Sequence, residues 1–130
     1  MTQSNVVRVR DVMEHDFLMM EGTATVSEAL AVMREKEAHF ILIAKRSEND
    51  EFGIVLVSDI AKQVLARNRS AERTNVYEIM SKPVLSVPPE MDIRYCARLF
   101  HRFGISAAPV IDCGEIKGVV AYDQLCLLYT

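Results

Sequence analysis

Apolar positions recur along this chain in the same order twice. Phe17 to Met20 is a short apolar run of the kind a buried strand makes. Val26, Ala29, Leu30 and Met33 then fall at i, i+3, i+4 and i+7, one buried face of a helix. Ala38 to Ala44 and Phe52 to Val57 read as two strands joined by the polar stretch Lys45 to Glu51, and a helix over Asp59 to Arg67 follows. The second pass runs in the same order. Val84 to Val87 is the short strand, and Ile93, Cys96, Ala97 and Phe100 are the helix stripe. Ser106 to Ile111 and Ile116 to Tyr122 are the hairpin around Asp112 to Glu115, and a helix starts at Asp123 and ends at about Tyr129.

Sliding the chain along itself confirms the period. Val9 meets Val76, Met13 meets Met80, and Ala29-Leu30 meets Cys96-Ala97. After a first-half loop that is slightly longer, Gly53-Ile54-Val55 meets Gly118-Val119-Val120. The helix boundaries carry local signals. Thr25-x-x-Glu28 is a capping box, Asp92 occupies the matching cap, and Gly104 suits a left-handed C-cap where the first half has Glu37. Each half is therefore a βαββα unit, with its strand–helix–strand part parallel and crossing over right-handed. The fold class is α/β (α+β). The repeats span 9–67 and 74–130, with an arm at 1–8 and a polar linker at 68–73. Units of about 60 residues are marginal alone. The two are therefore expected to pack around a pseudo-twofold axis into one module, which matches the single domain that 130 residues suggest.

Composition narrows the function. Half the residues are hydrophobic, enough for a core without disulfide or metal, which excludes intrinsic disorder. Fifteen basic against 18 acidic residues give a net charge of −3, and no basic cluster points to nucleic acid. No apolar run approaches membrane-spanning length, and Met1 to Asn5 is polar, without a secretory signal. Three cysteines, Cys96, Cys113 and Cys126, form no Cys-x-x-Cys pair. Cys96 lies on the buried stripe. A reducing, cytoplasmic compartment is expected, with no metal.

Asp11-Val12-Met13 and Glu78-Ile79-Met80 precede the first strand of each half. Val84-Leu85-Ser86-Val87 is followed by Pro88-Pro89 and an acid. Gly104-Ile105 leads to Pro109-Val110-Ile111-Asp112, and Gly53-Ile54-Val55 leads to Asp59-Ile60. In this order, twice, these patterns resemble the tandem cystathionine beta-synthase (CBS) domain pair over almost the whole chain. The resemblance implies regulation rather than catalysis: no cofactor is required, and an adenosine-containing ligand (AMP, ADP, ATP or S-adenosylmethionine) binds in a cleft between the repeats. It implies a conformational signal passed on; with no effector domain in these 130 residues, the module is expected to act on another protein or to be one piece of a larger system. A ligand shifts such an equilibrium only by its differential affinity for the two arrangements.

The resemblance also assigns site residues. The family's ribose contact is an Asp six residues after the third-strand Gly. That position holds Asp59 in the first half and Gln124 in the second. The family's Thr or Ser three residues after that Gly is Leu56 and Ala121 here, and Leu42 and Lys45 replace an expected Pro and Asp. The first cleft is thus expected to use Asp59, Ser58, Met13, Phe17, Met19, His39 and Phe40, and a weaker second one Met80, Val84, Ser106, Pro109 and Gln124. Ordinary roles compete with these. Asp59 begins a helix, where a carboxylate is stabilising without a ligand, and Ser58 reads as an N-cap. The methionines suit core packing. The substituted positions favour the rival reading, a ligand-free dimerisation or adaptor module.

Catalytic patterns are absent. His15, His39 and His101 make no metal-binding spacing, and there is no nucleophile elbow, P-loop or dinucleotide fingerprint. The segment Gln124 to Tyr129, apolar at nearly every position, predicts a homodimer interface.

Overall fold

The computed structural model of the protein describes residues 6–128. Its elements run α1 (Val9–Val12), β1 (Met19–Met20), α2 (Val26–Lys36), β2 (Phe40–Ile43), β3 (Gly53–Leu56) and α3 (Val57–Ile60). A 3₁₀ turn (Val76–Glu78), α4 (Ile93–Phe103), β4 (Ala107–Asp112), β5 (Glu115–Ala121) and α5 (Tyr122–Leu128) follow. β1 pairs parallel with β2, which pairs antiparallel with β3. β4 and β5 form an antiparallel pair of their own, with a bulge between Val110 and Ile111.

The two long helices start and stop where local chemistry says they should. The Thr25 hydroxyl accepts from the Glu28 amide at 3.1 Å, while the Glu28 carboxylate accepts from the Thr25 amide at 2.8 Å. Those bonds hold the Glu28 carboxyl below its usual range. Asp92 caps α4 by accepting from the Arg94 amide at 2.8 Å. Gly104 ends α4 in the left-handed region at φ 63°, and Glu37 ends α2 at φ 53°, so the first repeat accepts the same turn without the glycine.

Two compact units result, and they do not follow the repeat boundaries. Residues 18–84 form one unit; the chain up to Phe17 together with the chain from Leu85 onward forms the other. The leading segment of each repeat is built into the unit that holds the sheet of the other. Val9 lies in the core with Ile93, Phe100 and Val110, while Val76 lies in the core with Val26, Met33 and Ile41. The hydrogen bonds match position by position. Val9 donates to Met91 and Val76 to Ala24, each at 2.8 Å. Ile93 donates to Val7 and Val26 to Thr74. Glu14 bridges Val119 as Ser81 bridges Ile54. The ranges 9–67 and 74–130 thus describe the period of the sequence, while packing cuts the chain elsewhere.

The acidic-aliphatic-Met triplet has a physical role in this arrangement. The Asp11 carboxylate accepts from the Arg8 amide at 2.9 Å, and the Glu78 carboxylate accepts from the Asn75 amide at 2.8 Å. Each acid closes the first turn of a short helix. The methionine then packs on the third-strand glycine. A Cβ at Gly53 would sit 2.8 Å from the Met80 sulfur, and one at Gly118 would sit 3.1 Å from Met13 and 2.5 Å from the Glu14 carbonyl oxygen. Only glycine leaves room for that crossing.

Several expected boundaries move. The Phe17 to Met20 strand shortens to Met19–Met20. Val84 to Val87 is no strand: the Val84 amide bonds to Phe52, only Val87 bridges β4 at Val110, and Pro88 and Pro89 have no N–H to extend the ladder. The chain also leaves one unit for the other within that run. The helix expected over Asp59 to Arg67 begins at Val57 and continues after Ile60 as a π-helical turn, Ala61–Leu65. Leu56, not Ser58, is its N-cap. The last helix covers Tyr122–Leu128; Tyr129 lies outside the described residues. Within it Leu125 is buried, while Leu127 is 80% exposed.

Candidate functional site

Some of the expected site residues lie where the third strand of each repeat turns into its last helix. In the unit of residues 18–84, Phe40 stands opposite Leu56 on β2 and β3. The His39 carbonyl accepts from the Val57 amide at 2.9 Å, which ties the start of α3 to the start of β2. Asp59 is the third residue of α3, and one of its carboxylate oxygens accepts from the Leu56 amide at 2.9 Å. Its second oxygen has no protein partner among the described residues. Ser58 and His39 are exposed, Phe40 and Asp59 half-buried, and Met19 on β1 is exposed. These five share one unit. Met13 and Phe17, expected beside them, belong to the other unit, where Met13 packs on Gly118.

The second repeat repeats this backbone with different side chains. Ala107 stands opposite Ala121, and the Ser106 carbonyl accepts from the Tyr122 amide at 2.9 Å. Gln124 is the third residue of α5 and exposed; its amide bonds to the Asp123 carboxylate at 2.9 Å. Pro109 is fully buried opposite Val119. Met80 and Val84 lie in the unit of residues 18–84, both half-buried. Each expected set is therefore divided between the two units.

One feature escaped the sequence reading. In the first repeat a hollow of about 380 Å³ lies between the end of α2 and the start of α3, lined by Leu30, Met33, Arg34, Ala38, His39 and Val57. In the second repeat the counterparts of Met33 and Val57 are Phe100 and Tyr122, whose rings meet edge-on at 5.7 Å. The signal was present in the sequence as a difference in side-chain volume at paired positions.

The rest of the chemistry is quiet. Burial pushes the Cys96 thiol up to about 11, so it stays protonated and inert. Among the described residues, no group of three or more His, Cys, Asp or Glu side chains is placed to hold a metal ion. No described helix is long and apolar enough to cross a membrane.

The two repeats thus share a strand–helix junction with polar groups at the start of each last helix. The CBS domain family model matches residues 9–66 and 76–128. The chain belongs to the CBS domain family, as a tandem pair. It is 27% identical, over 92% of its length, to the uncharacterized protein MK0525 of Methanopyrus kandleri, and spans 61% of that relative. Among solved structures it is similar to the hexameric CBS-CP12 protein from bloom-forming cyanobacteria, with a TM-score of 0.92 and 33% identity over 96% of this chain and 69% of that one. It also has the fold of the CBS domain pair of protein MJ0100, described in complex with 5-methylthioadenosine and S-adenosyl-L-methionine. That match has a TM-score of 0.82 and 22% identity, and covers 95% of each chain.

Proposed function

We propose that this chain is a regulatory module that binds an adenosine-containing ligand and passes the binding event on as a change of conformation. The observation that carries the reading is Asp59. Its carboxylate is fixed by the Leu56 amide through one oxygen, which leaves the other free to accept from a ribose hydroxyl. Ser58, His39, Phe40 and Met19, from the same unit, supply polar and apolar contacts around it. Gln124 and Ser106, which share a unit, mark a weaker second site, because an uncharged amide replaces the carboxylate. The adenosyl ligands reported for the MJ0100 pair set the choice of ligands to try. The module acts by association with a second copy and with an effector protein.

Thermal denaturation with AMP, ADP, ATP and S-adenosylmethionine tests this. A ligand present at 100 times its dissociation constant stabilises by about 2.7 kcal/mol. Asp59→Asn keeps an oxygen for the Leu56 amide but removes the charge, and abolishes most of that shift. If no adenosyl ligand raises the midpoint, the sensor reading fails. If Asp59→Asn responds as the wild type does, only the site assignment fails.

A second reading, a ligand-free adaptor, is favoured by one observation. Leu56 and Ala121 put no hydroxyl at the strand end in either repeat.

A further inference from the structure

The hollow in the first repeat has a charged lip that the adenosyl site does not use. Its floor is apolar, from Leu30 and Met33 on α2, Ala38 just after it and Val57 at the start of α3. Val57 is 38% exposed and Leu30 half-buried, so part of that floor is open to solvent. Arg34 and Glu37 line the same hollow, both exposed. Opposite charges three residues apart on a helix ordinarily meet. These two do not: among the described residues neither side chain makes an ion pair. The backbone explains why. Glu37 has left the helical row and sits in the left-handed region at φ 53° and ψ 43°, where the second repeat has Gly104. A side chain in that region carries a conformational cost that glycine avoids. The first repeat thus holds a carboxylate at the lip against the preference of its own backbone.

We propose that this hollow binds a free α-amino acid with an apolar side chain. The Arg34 guanidinium donates to the α-carboxylate, and the Glu37 carboxylate accepts from the α-ammonium. The C-terminal end of α2 carries partial negative charge, which favours the ammonium on the Glu37 side. The aliphatic side chain covers Leu30, Met33 and Val57, removing apolar surface from water. An α-amino acid presents both charges from one carbon, so a single small molecule satisfies both lip residues. A simple carboxylic acid would set its charge against Glu37, and a simple amine would set its charge against Arg34. The volume of about 380 Å³ lies at the small end of the range of about 300–1,000 Å³ for ligand pockets, which suits a molecule of this size. The hollow shares only His39 with the adenosyl site, so its test does not depend on that reading.

Titration of the full chain with L-leucine, followed by NMR at the amides of Ala38 and Val57, tests the site. Leucine is expected to shift both amides saturably. N-acetyl-leucine lacks the ammonium, leucinamide lacks the carboxylate and glycine lacks the apolar side chain; each should bind roughly tenfold more weakly or worse. Arg34→Gln and Glu37→Gln should each weaken leucine by a similar roughly tenfold factor. Glu37→Gly separates the site from the fold, because glycine suits the left-handed turn and yet removes the carboxylate. That variant should be folded, at least as stable as the wild type, and poor at binding leucine. If leucine gives no saturable shift up to about 10 mM, the proposal is overturned. It is overturned equally if N-acetyl-leucine and leucinamide bind as tightly as leucine, which would leave an apolar groove alone. The same holds if Arg34→Gln or Glu37→Gln binds leucine as the wild type does.

Discussion

The two repeats make a controlled comparison at the junction between third strand and last helix. Both have the same backbone bond there, from Val57 to His39 and from Tyr122 to Ser106, each at 2.9 Å. Both place a residue six positions after a glycine at the third position of the following helix. Around this shared frame the side chains have diverged. The second repeat sets the rings of Phe100 and Tyr122 edge-on at this junction and carries Gln124. The first has Met33 and Val57, retains a hollow, and carries Asp59. The repeat with the smaller side chains at these paired positions carries the carboxylate. Main-chain hydrogen bonds are indifferent to side-chain identity, so they preserve the fold while the side chains around them differ.

The largest test of that contrast is truncation at the paired core position. Phe100 is fully buried, and Phe100→Ala should cost about 3–5 kcal/mol in urea unfolding. Met33→Ala, beside a hollow that can relax, should fall at the lower end of the about 2–5 kcal/mol seen for such changes. Equal losses would mean that the filled and unfilled repeats are equally well packed.

The paired glycines come next. At Gly118 a new Cβ meets the Glu14 carbonyl oxygen, which belongs to the backbone. At Gly53 the nearest atom is the sulfur of Met80, the flexible end of a side chain. Gly118→Ala should therefore destabilise by about 1–3 kcal/mol, and Gly53→Ala by less than Gly118→Ala. The reverse order would show that the backbone at Glu14 yields more readily than the Met80 side chain.

What the sequence disclosed follows from what is local. The capping box at Thr25 and Glu28, the Asp92 cap, the Gly104 turn and both hairpins depend on residues close along the chain, and all are present. The exchange of leading segments was not legible. Val9 and Val76 are apolar in the same way, and nothing in either marks which sheet it will cover. Ser58 was misplaced because a serine before an acid looks like a cap, whereas Asp59 itself closes the first turn onto Leu56. Val84 to Val87 has strand composition, but its amides are claimed from different places. The Asp59 position was assigned through family resemblance. Its coupling to the Leu56 amide, and the hollow near it, needed coordinates.

The helix ends give a smaller contrast. Glu37 and Gly104 both have positive φ, which costs a residue with a side chain about 1–2 kcal/mol more than glycine. Nothing lies within 4 Å of a Cβ added at Gly104, so only the backbone cost applies there. Gly104→Ala should destabilise by about 1 kcal/mol, and Glu37→Gly should stabilise by up to about 1 kcal/mol. Calorimetry on the two variants checks both signs; a destabilised Glu37→Gly would show that the Glu37 side chain contributes more than its conformation costs.

The helix starts give the smallest contrast, and it depends on pH. Both caps use a carboxylate, but α2 also has the neutral Thr25 hydroxyl, while α4 relies on Asp92 alone. The Arg94 side chain, then the Arg94 amide, hold the Asp92 carboxyl down to about 2 from the usual 3.8. A carboxyl whose folded value is depressed stabilises the fold above its unfolded value and loses that contribution as pH falls through the folded value. The Asp92 contribution should therefore be complete above about pH 4 and fade between about pH 4 and pH 2. Asp92→Ser retains a capping oxygen without the titrating group. Urea unfolding of both proteins through that window should show the wild-type advantage shrinking as the pH drops. A difference that stays constant from pH 5 to pH 2 would separate the cap from the charge, and would leave α4 capped by geometry alone, as α2 is by Thr25.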